Sequence, residues 1–240
     1  MRFSRSADVR DTLQNLEAKL GASPLAAPSA LLSLIRGILR GRLRIVGSVT
    51  TPEHSTLWLA AGPEGGDLEN PRRARVTEAI LLGELPKALA ARMAVSRSTI
   101  SSDVMRTIRR VCGGNGSVYR VPMALALLAH AAHGAPVAIR VEGNPWCPHA
   151  PFCSVRIERP DSALESRLSP AEYTVVRLIL EGRAQAEMAE IRRTSPRTIA
   201  NQSHAIFEKL RVSGRFSLLG LAIERMASRV SAKPFERVAA

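Results

Sequence analysis

Arginine is the residue type that offers this chain its chemistry. Of 240 residues, 34 are Lys or Arg against 21 Asp or Glu, a formal net charge of +13. The only lysines are Lys19, Lys87, Lys209 and Lys233, so the excess is almost wholly arginine. A guanidinium grips phosphate through two parallel N–H donors and reads a guanine edge in the same way. A basic chain rich in it points to nucleic acid, with an acidic membrane surface as the competing partner. The basic residues gather at two places: Arg97, Arg106, Arg109 and Arg110, and again Arg193, Arg197, Lys209 and Arg215. Each group lies beside a serine, Ser96 or Ser195, of the kind that opens a helix. The backbone N–H groups of such a helix start are a further phosphate site.

Other reactive side chains lead elsewhere, or nowhere. His130, His133, Cys147, His149 and Cys153 are close in sequence, and histidine with thiolate suits zinc. Cys-x-His-x3-Cys is not a standard zinc spacing, however, and two histidines three apart on an apolar helix are ordinary core residues. No metal or cofactor is expected. The chain holds no glycine-rich phosphate loop, no nucleophile elbow and no zinc-protease helix, so it does not read as an enzyme. Three cysteines, Cys112, Cys147 and Cys153, are too few and odd in number for a disulfide framework. No segment reaches the roughly 18 apolar residues of a membrane span. The start, MRFSRSADVRD, lacks the apolar stretch of a signal peptide. A cytoplasmic protein without membrane partner is the expectation.

The two basic groups occupy equivalent places because the chain repeats itself. Residues 70–111 lie over 169–210 at a constant offset of 99, without a gap. Asn70-Pro71 falls on Ser169-Pro170, Val76 on Val175, Ile80-Leu81 on Ile179-Leu180, Gly83 on Gly182, Ala90 on Ala189, Ser96 on Ser195, and Thr99-Ile100 on Thr198-Ile199. Only nine of 42 positions are identical, but they are caps, turns and core positions, where a shared structure would demand them. The repeat extends upstream. PSALLSLIRGILRG (28–41) matches PMALALLAHAAHGA (122–135) as an apolar helix. Alternating runs at 43–49 and 56–60, and at 137–143 and 154–159, read as a β-hairpin in each copy. The third helix of this type, 216–230, closes the chain. Residues 9–21 read as a short amphipathic helix followed by a linker.

Ser169-Pro170-Ala171-Glu172 is a capping box with proline at the first helical position. That helix carries Val175, Val176, Ile179 and Leu180 on one face and ends at Gly182. A short helix over 184–191 follows, with Ala184, Met188 and Ile191 facing inward. Ser195-Pro196 opens a third, striped by Ile199, Ile206 and Leu210. The pattern resembles the LuxR-type (GerE-like) DNA-binding domain over about 55 residues. The matching positions are Leu168-Ser169-Pro170 with Glu172, Glu181-Gly182, Glu187, Ala189, Ser195, Arg197-Thr198-Ile199, Asn201, Ile206-Phe207, Lys209-Leu210, Val212-Ser213 and Arg215. It departs at Arg192 and Thr194, where the family is usually apolar, and at Ala200 and Gln202. The first copy keeps the apolar positions as Leu89, Met93 and Val95, but has Arg73 in place of the capping glutamate and an insertion at 113–119.

Together with the repeat, the resemblance implies a mainly α fold: two tandem LuxR-type helix-turn-helix units, each preceded by the helix and small β-hairpin that the repeat shows. The corresponding segments are 1–27 (helix and linker), 28–69 (helix and hairpin), 70–134 (degenerate helix-turn-helix), 135–167 (hairpin connector) and 168–232 (LuxR-type domain). It implies that the third helix of each unit enters the major groove of double-stranded DNA. Base-facing positions then fall on Ala200, Asn201 and His204, and by the repeat on Ser101, Ser102 and Met105. Asn201 can pair bidentately with adenine. Asp103 is a carboxylate in a place where phosphates would repel it. A sequence-specific transcriptional regulator is the expected function, with no small-molecule input and with a homodimer or RNA polymerase contact as further partners. The competing expectation is a protein-interaction module of helix-turn-helix architecture, a regulator partner or polymerase-associated factor with little DNA binding of its own.

Overall fold

The computed structural model describes residues 27–62, 70–113, 119–143, 152–160, 164 and 168–232. The predicted helix over 9–21, its linker, Cys147, His149 and residues 114–118 of the insertion lie outside these. The described chain is mainly helical, with one small antiparallel sheet of four strands. In chain order it runs α1 (Pro28–Arg40), β1 (Leu43–Thr50), β2 (His54–Ala61), α2 (Pro71–Leu81), α3 (Pro86–Arg92), α4 (Arg97–Cys112) and α5 (Arg120–Ala132). Then come β3 (Ile139–Gly143), β4 (Phe152–Glu158), α6 (Pro170–Leu180), α7 (Gln185–Arg192), α8 (Pro196–Leu210) and α9 (Arg215–Ala232). No described helix is long and apolar enough to cross a membrane.

Proline and serine set most of the starts. Prolines stand in the first turn of α1, α2, α3, α6 and α8, where a missing N–H costs nothing. The Ser169–Glu172 capping box forms in full: Glu172 N donates to Ser169 Oγ at 3.3 Å, and Ser169 N donates to Glu172 Oε2 at 2.8 Å. α1 buries Leu31, Leu34, Ile35, Ile38 and Leu39, the single stripe that helical spacing dictates. α5 is different. Every residue from Val121 to Ala129 is buried, because α5 is packed by α1, α2, α9 and the sheet together. A helix enclosed on all sides must be apolar all round.

The two predicted hairpins do not stand apart. They join edge to edge in the order β1-β2-β4-β3, with β2 antiparallel to β4. Leu57 faces Val155 across that seam. These are equivalent positions when residues 56–60 are laid over 154–159, so a local two-fold axis passes between them. Both are fully buried, with Leu59, Cys153 and Ile157, on the face that α1 and α5 cover. Joining the strands also removes two open edges. Glu78 is a buried carboxylate of α2, placed 2.9 Å from His133 Nε2 of α5 and 3.6 Å from Arg36 Nε of α1. Its carboxylate thus meets polar groups from two elements packed against α2.

Beside this core lie two three-helix clusters, α2–α3–α4 and α6–α7–α8, whose turns match bond for bond. Ala94, between α3 and α4, and Arg193, between α7 and α8, both have φ of 51°. Val95 N donates to the Ala90 carbonyl at 3.0 Å, and Thr194 N to the Ala189 carbonyl at 2.9 Å. Glu84 N bonds to Ala79 O, and Arg183 N to Leu178 O, both at 3.0 Å. Ser96 accepts from Thr99 N, and Ser195 from Thr198 N, both at 3.0 Å. Every pair is separated by 99 residues, the offset of the sequence repeat. A left-handed residue with a Cβ is strained. Ala94→Gly is therefore expected to raise the unfolding free energy by about 0.5–1 kcal/mol, read by urea denaturation.

One packing expectation is corrected. Ile191 does not face inward; it is 53% exposed. Met188 and Ala189 fill the interior side of α7, and Arg192, the next residue along, covers the start of α6 by donating to the Ala171 carbonyl at 2.6 Å. The polar substitution at Arg192 is thus met by a hydrogen bond across the cluster.

Candidate nucleic-acid interface

α4 carries the first basic group, and α8 carries Arg197 and Lys209 of the second, with Arg193 in the turn before it and Arg215 at the start of α9. Ile100, Thr107, Ile108 and Val111 hold α4 to its neighbours, and Ile199, Ser203, Ile206 and Leu210 hold α8. The stripe leaves the opposite side of each helix open. On α4 that side presents Ser101, Ser102, Met105, Arg106 and Arg109, all exposed. On α8 it presents Asn201 and His204, exposed, with Ala200 half-buried between them. Arg97 and Arg197 stand exposed at the first turns, next to the Ser96 and Ser195 caps, and Arg193 stands exposed in the turn before α8. The structure thus brings the predicted base-facing residues of each copy onto one helix face, beside cations.

The eight predicted phosphate ligands divide into two kinds. Among the described residues, Arg97, Arg106, Arg109, Arg193 and Arg197 make no side-chain hydrogen bond or ion pair. The other three are engaged with other groups of the chain. Arg110 Nη2 donates to the Leu39 carbonyl at the end of α1, at 2.6 Å. Lys209 Nζ lies 2.7 Å from Glu172 Oε2. The Lys209 ammonium, with the Ser169 backbone N–H, holds the Glu172 carboxylate below its ordinary range. Arg215 Nη1 donates to the Arg183 carbonyl at 2.9 Å, and its guanidinium sits 4.3 Å over the Tyr119 ring. Burial lowers the pKa of Arg215, which suits a group fixing the start of α9 better than one held out to a polyanion.

Asp103 is less of an obstacle than its charge suggests. Arg73 Nε lies 3.1 Å from its Oδ1, and Arg72 Nη2 3.8 Å from its Oδ2. Arg73 and Glu172 occupy equivalent positions, and each ties the first helix of its cluster to the third, with the signs exchanged. On α8, His204 has Glu208 at 3.4 Å, so its open side is less cationic than that of α4. Sequence reasoning passed over the clamp on Asp103, although two arginines opening α2 were its only available sign.

Cys153 lies on the core face of β4, 2% exposed, and burial pushes its thiol up to about 12. A thiol so placed is a poor thiolate, and thiolate is the form that binds metal or reacts. Iodoacetamide at pH 8 is expected to leave Cys153 unmodified until the protein is unfolded; rapid labelling of the native chain at this residue, seen by peptide mass, would show that the seam opens. His130 is half-buried in α5, and burial, with His133 beside it, lowers its pKa. Its ring packs against Gly220 of α9. Among the described residues no group of three His, Cys, Asp or Glu side chains is placed to hold a metal ion. Comparison with protein-family models, with curated proteins and with solved structures finds no match to this chain.

Proposed function

We infer that the chain is a sequence-specific DNA-binding regulator of the LuxR type, with two helix-turn-helix units and with α4 and α8 as their major-groove helices. The observation that carries this reading is the matched pair of left-handed turns at Ala94 and Arg193, each followed by a serine-capped helix with an open, arginine-flanked face. A helix docks in the major groove by its N-terminal half, while flanking cations hold the phosphates. Ser101, Ser102 and Met105 would meet bases from α4, and Ala200, Asn201 and His204 from α8. Arg97, Arg106, Arg109, Arg193 and Arg197 would hold phosphates. Arg110, Lys209 and Arg215 serve the fold in this reading.

The test is binding of the full chain to duplex DNA over a range of salt, since phosphate contacts release counterions. Tight binding at low salt that falls steeply as salt rises supports the inference. Undetectable binding to any duplex at low salt overturns it and favours a protein partner, for which the exposed Leu85 (49%), Met105 (42%) and Ile191 (53%) would be the apolar contacts.

A further inference from the structure

Tandem repeats in a chain would ordinarily suggest repeated half-sites in the same direction along DNA. The contacts between the two clusters argue for the opposite. α5 follows the first cluster and α9 follows the second. Gly83, at the end of α2, rests on the first turn of α9: a Cβ placed on it would lie 3.3 Å from Ser217 Cα, 3.5 Å from Phe216 O and 3.5 Å from Ser217 N. Gly182, at the end of α6, rests on the first turn of α5: a Cβ there would lie 2.7 Å from Arg120 Cα, 2.8 Å from Arg120 N and 2.8 Å from Tyr119 O. The two glycines are equivalent in the repeat, and each meets the same three backbone atoms in the helix that belongs to the other cluster.

Reciprocity of this kind, in which i meets j and j meets i, is the signature of a two-fold interface. A head-to-tail arrangement would pair each glycine with a different surface. Other contacts fix the same interface. Phe216 packs on the small core of the first cluster, formed by Val76, Ile80, Leu89, Ala90 and Ile100. Arg120 makes an ion pair with Glu187 of α7. α5 and α9 themselves touch, with His130 against Gly220.

Resting on the DNA-binding reading above, we propose that one chain acts as its own dimer and occupies a DNA site of two unlike half-sites in inverted orientation. The inversion follows from the two-fold relation, which turns α4 and α8 in opposite senses. The unlikeness follows from their side chains: Ser101, Ser102 and Met105 cannot make the hydrogen bonds that Asn201 and His204 can. The half-site with more exposed arginines, that of α4, is the one gripped harder.

Selection of bound duplexes from a random library by the full chain, followed by the mass of the complex, tests this. The expected result is one chain per duplex and two different half-sites, inverted, with centres about one helical turn (roughly 10 base pairs) apart. Reversing one half-site in place should lower affinity at least about tenfold, the loss of one good base contact or more. Asn201→Ala should change the base preference in one half only, and Ser102→Ala in the other. Direct repeats, or two chains on identical half-sites, would overturn the proposal and leave DNA binding standing. No binding at low salt would overturn both.

Discussion

Gly182→Ala is expected to cost about 3 kcal/mol of folding stability, measured by urea unfolding, against about 1 kcal/mol for Gly134→Ala. Both glycines are left-handed, with φ of +70° and +88°, so both substitutions meet the same backbone penalty. Only Gly182 has a neighbour. Its new Cβ would press into the Arg120 and Tyr119 backbone at 2.7–2.8 Å, and backbone in a helix start cannot swing aside as a side chain can. Among the described residues nothing lies within 4 Å of the same atom at Gly134. Gly83→Ala belongs between them, because its nearest contact is 3.3 Å. Equal losses at all three positions would mean that the penalty is purely one of φ and that the clusters are not in contact at these points.

The second large effect concerns salt. If the chain binds DNA as proposed, five phosphate ligands predict a slope of log affinity against log salt of about −4.5, and so a loss of about 500-fold between about 50 and 200 mM. Eight ligands would give about −7 and a loss of more than 10⁴-fold. The titration thus counts the arginines that reach DNA. Arg97→Ala, Arg109→Ala and Arg197→Ala should each flatten the slope by about 1. Arg110→Ala should leave the slope alone and lower stability, since its guanidinium caps the end of α1 through the Leu39 carbonyl. A slope near zero, or an Arg110→Ala variant that behaves like Arg97→Ala, would contradict the division of the eight residues made above.

Much of this was legible in the residues. The offset of 99 located the caps at Ser96 and Ser195 and the glycines at the ends of α2 and α6, because those positions are dictated locally by backbone geometry. The strand pairs were legible from alternation for the same reason. Which strands meet where the two hairpins pair edge to edge was not, since β2 and β4 join residues about a hundred positions apart and neither strand announces its partner. Charge was the least legible quantity. Arg215 and Arg197 are the same residue type in the same basic region, yet one is folded over Tyr119 and the other stands in solvent. Which of them is spent internally depends on carbonyls and rings brought in from elsewhere in the chain. Ile191 failed for a related reason: helical spacing gives the direction of a side chain, not whether there is anything on that side to meet it.

α5 has three employers: it roofs the sheet with α1, completes the first cluster, and abuts α9. The described residues therefore offer no clean place to cut between the two clusters. Expressed alone, residues 168–232 would lose the floor under Gly182 and the partner of Glu187. Residues 28–134 alone would leave the β2 edge raw and part of α5 uncovered, the makings of an aggregate. The halves repeat a pattern in sequence yet lean on each other through these contacts, so laboratory dissection of the molecule is best done by point substitution within the intact polypeptide.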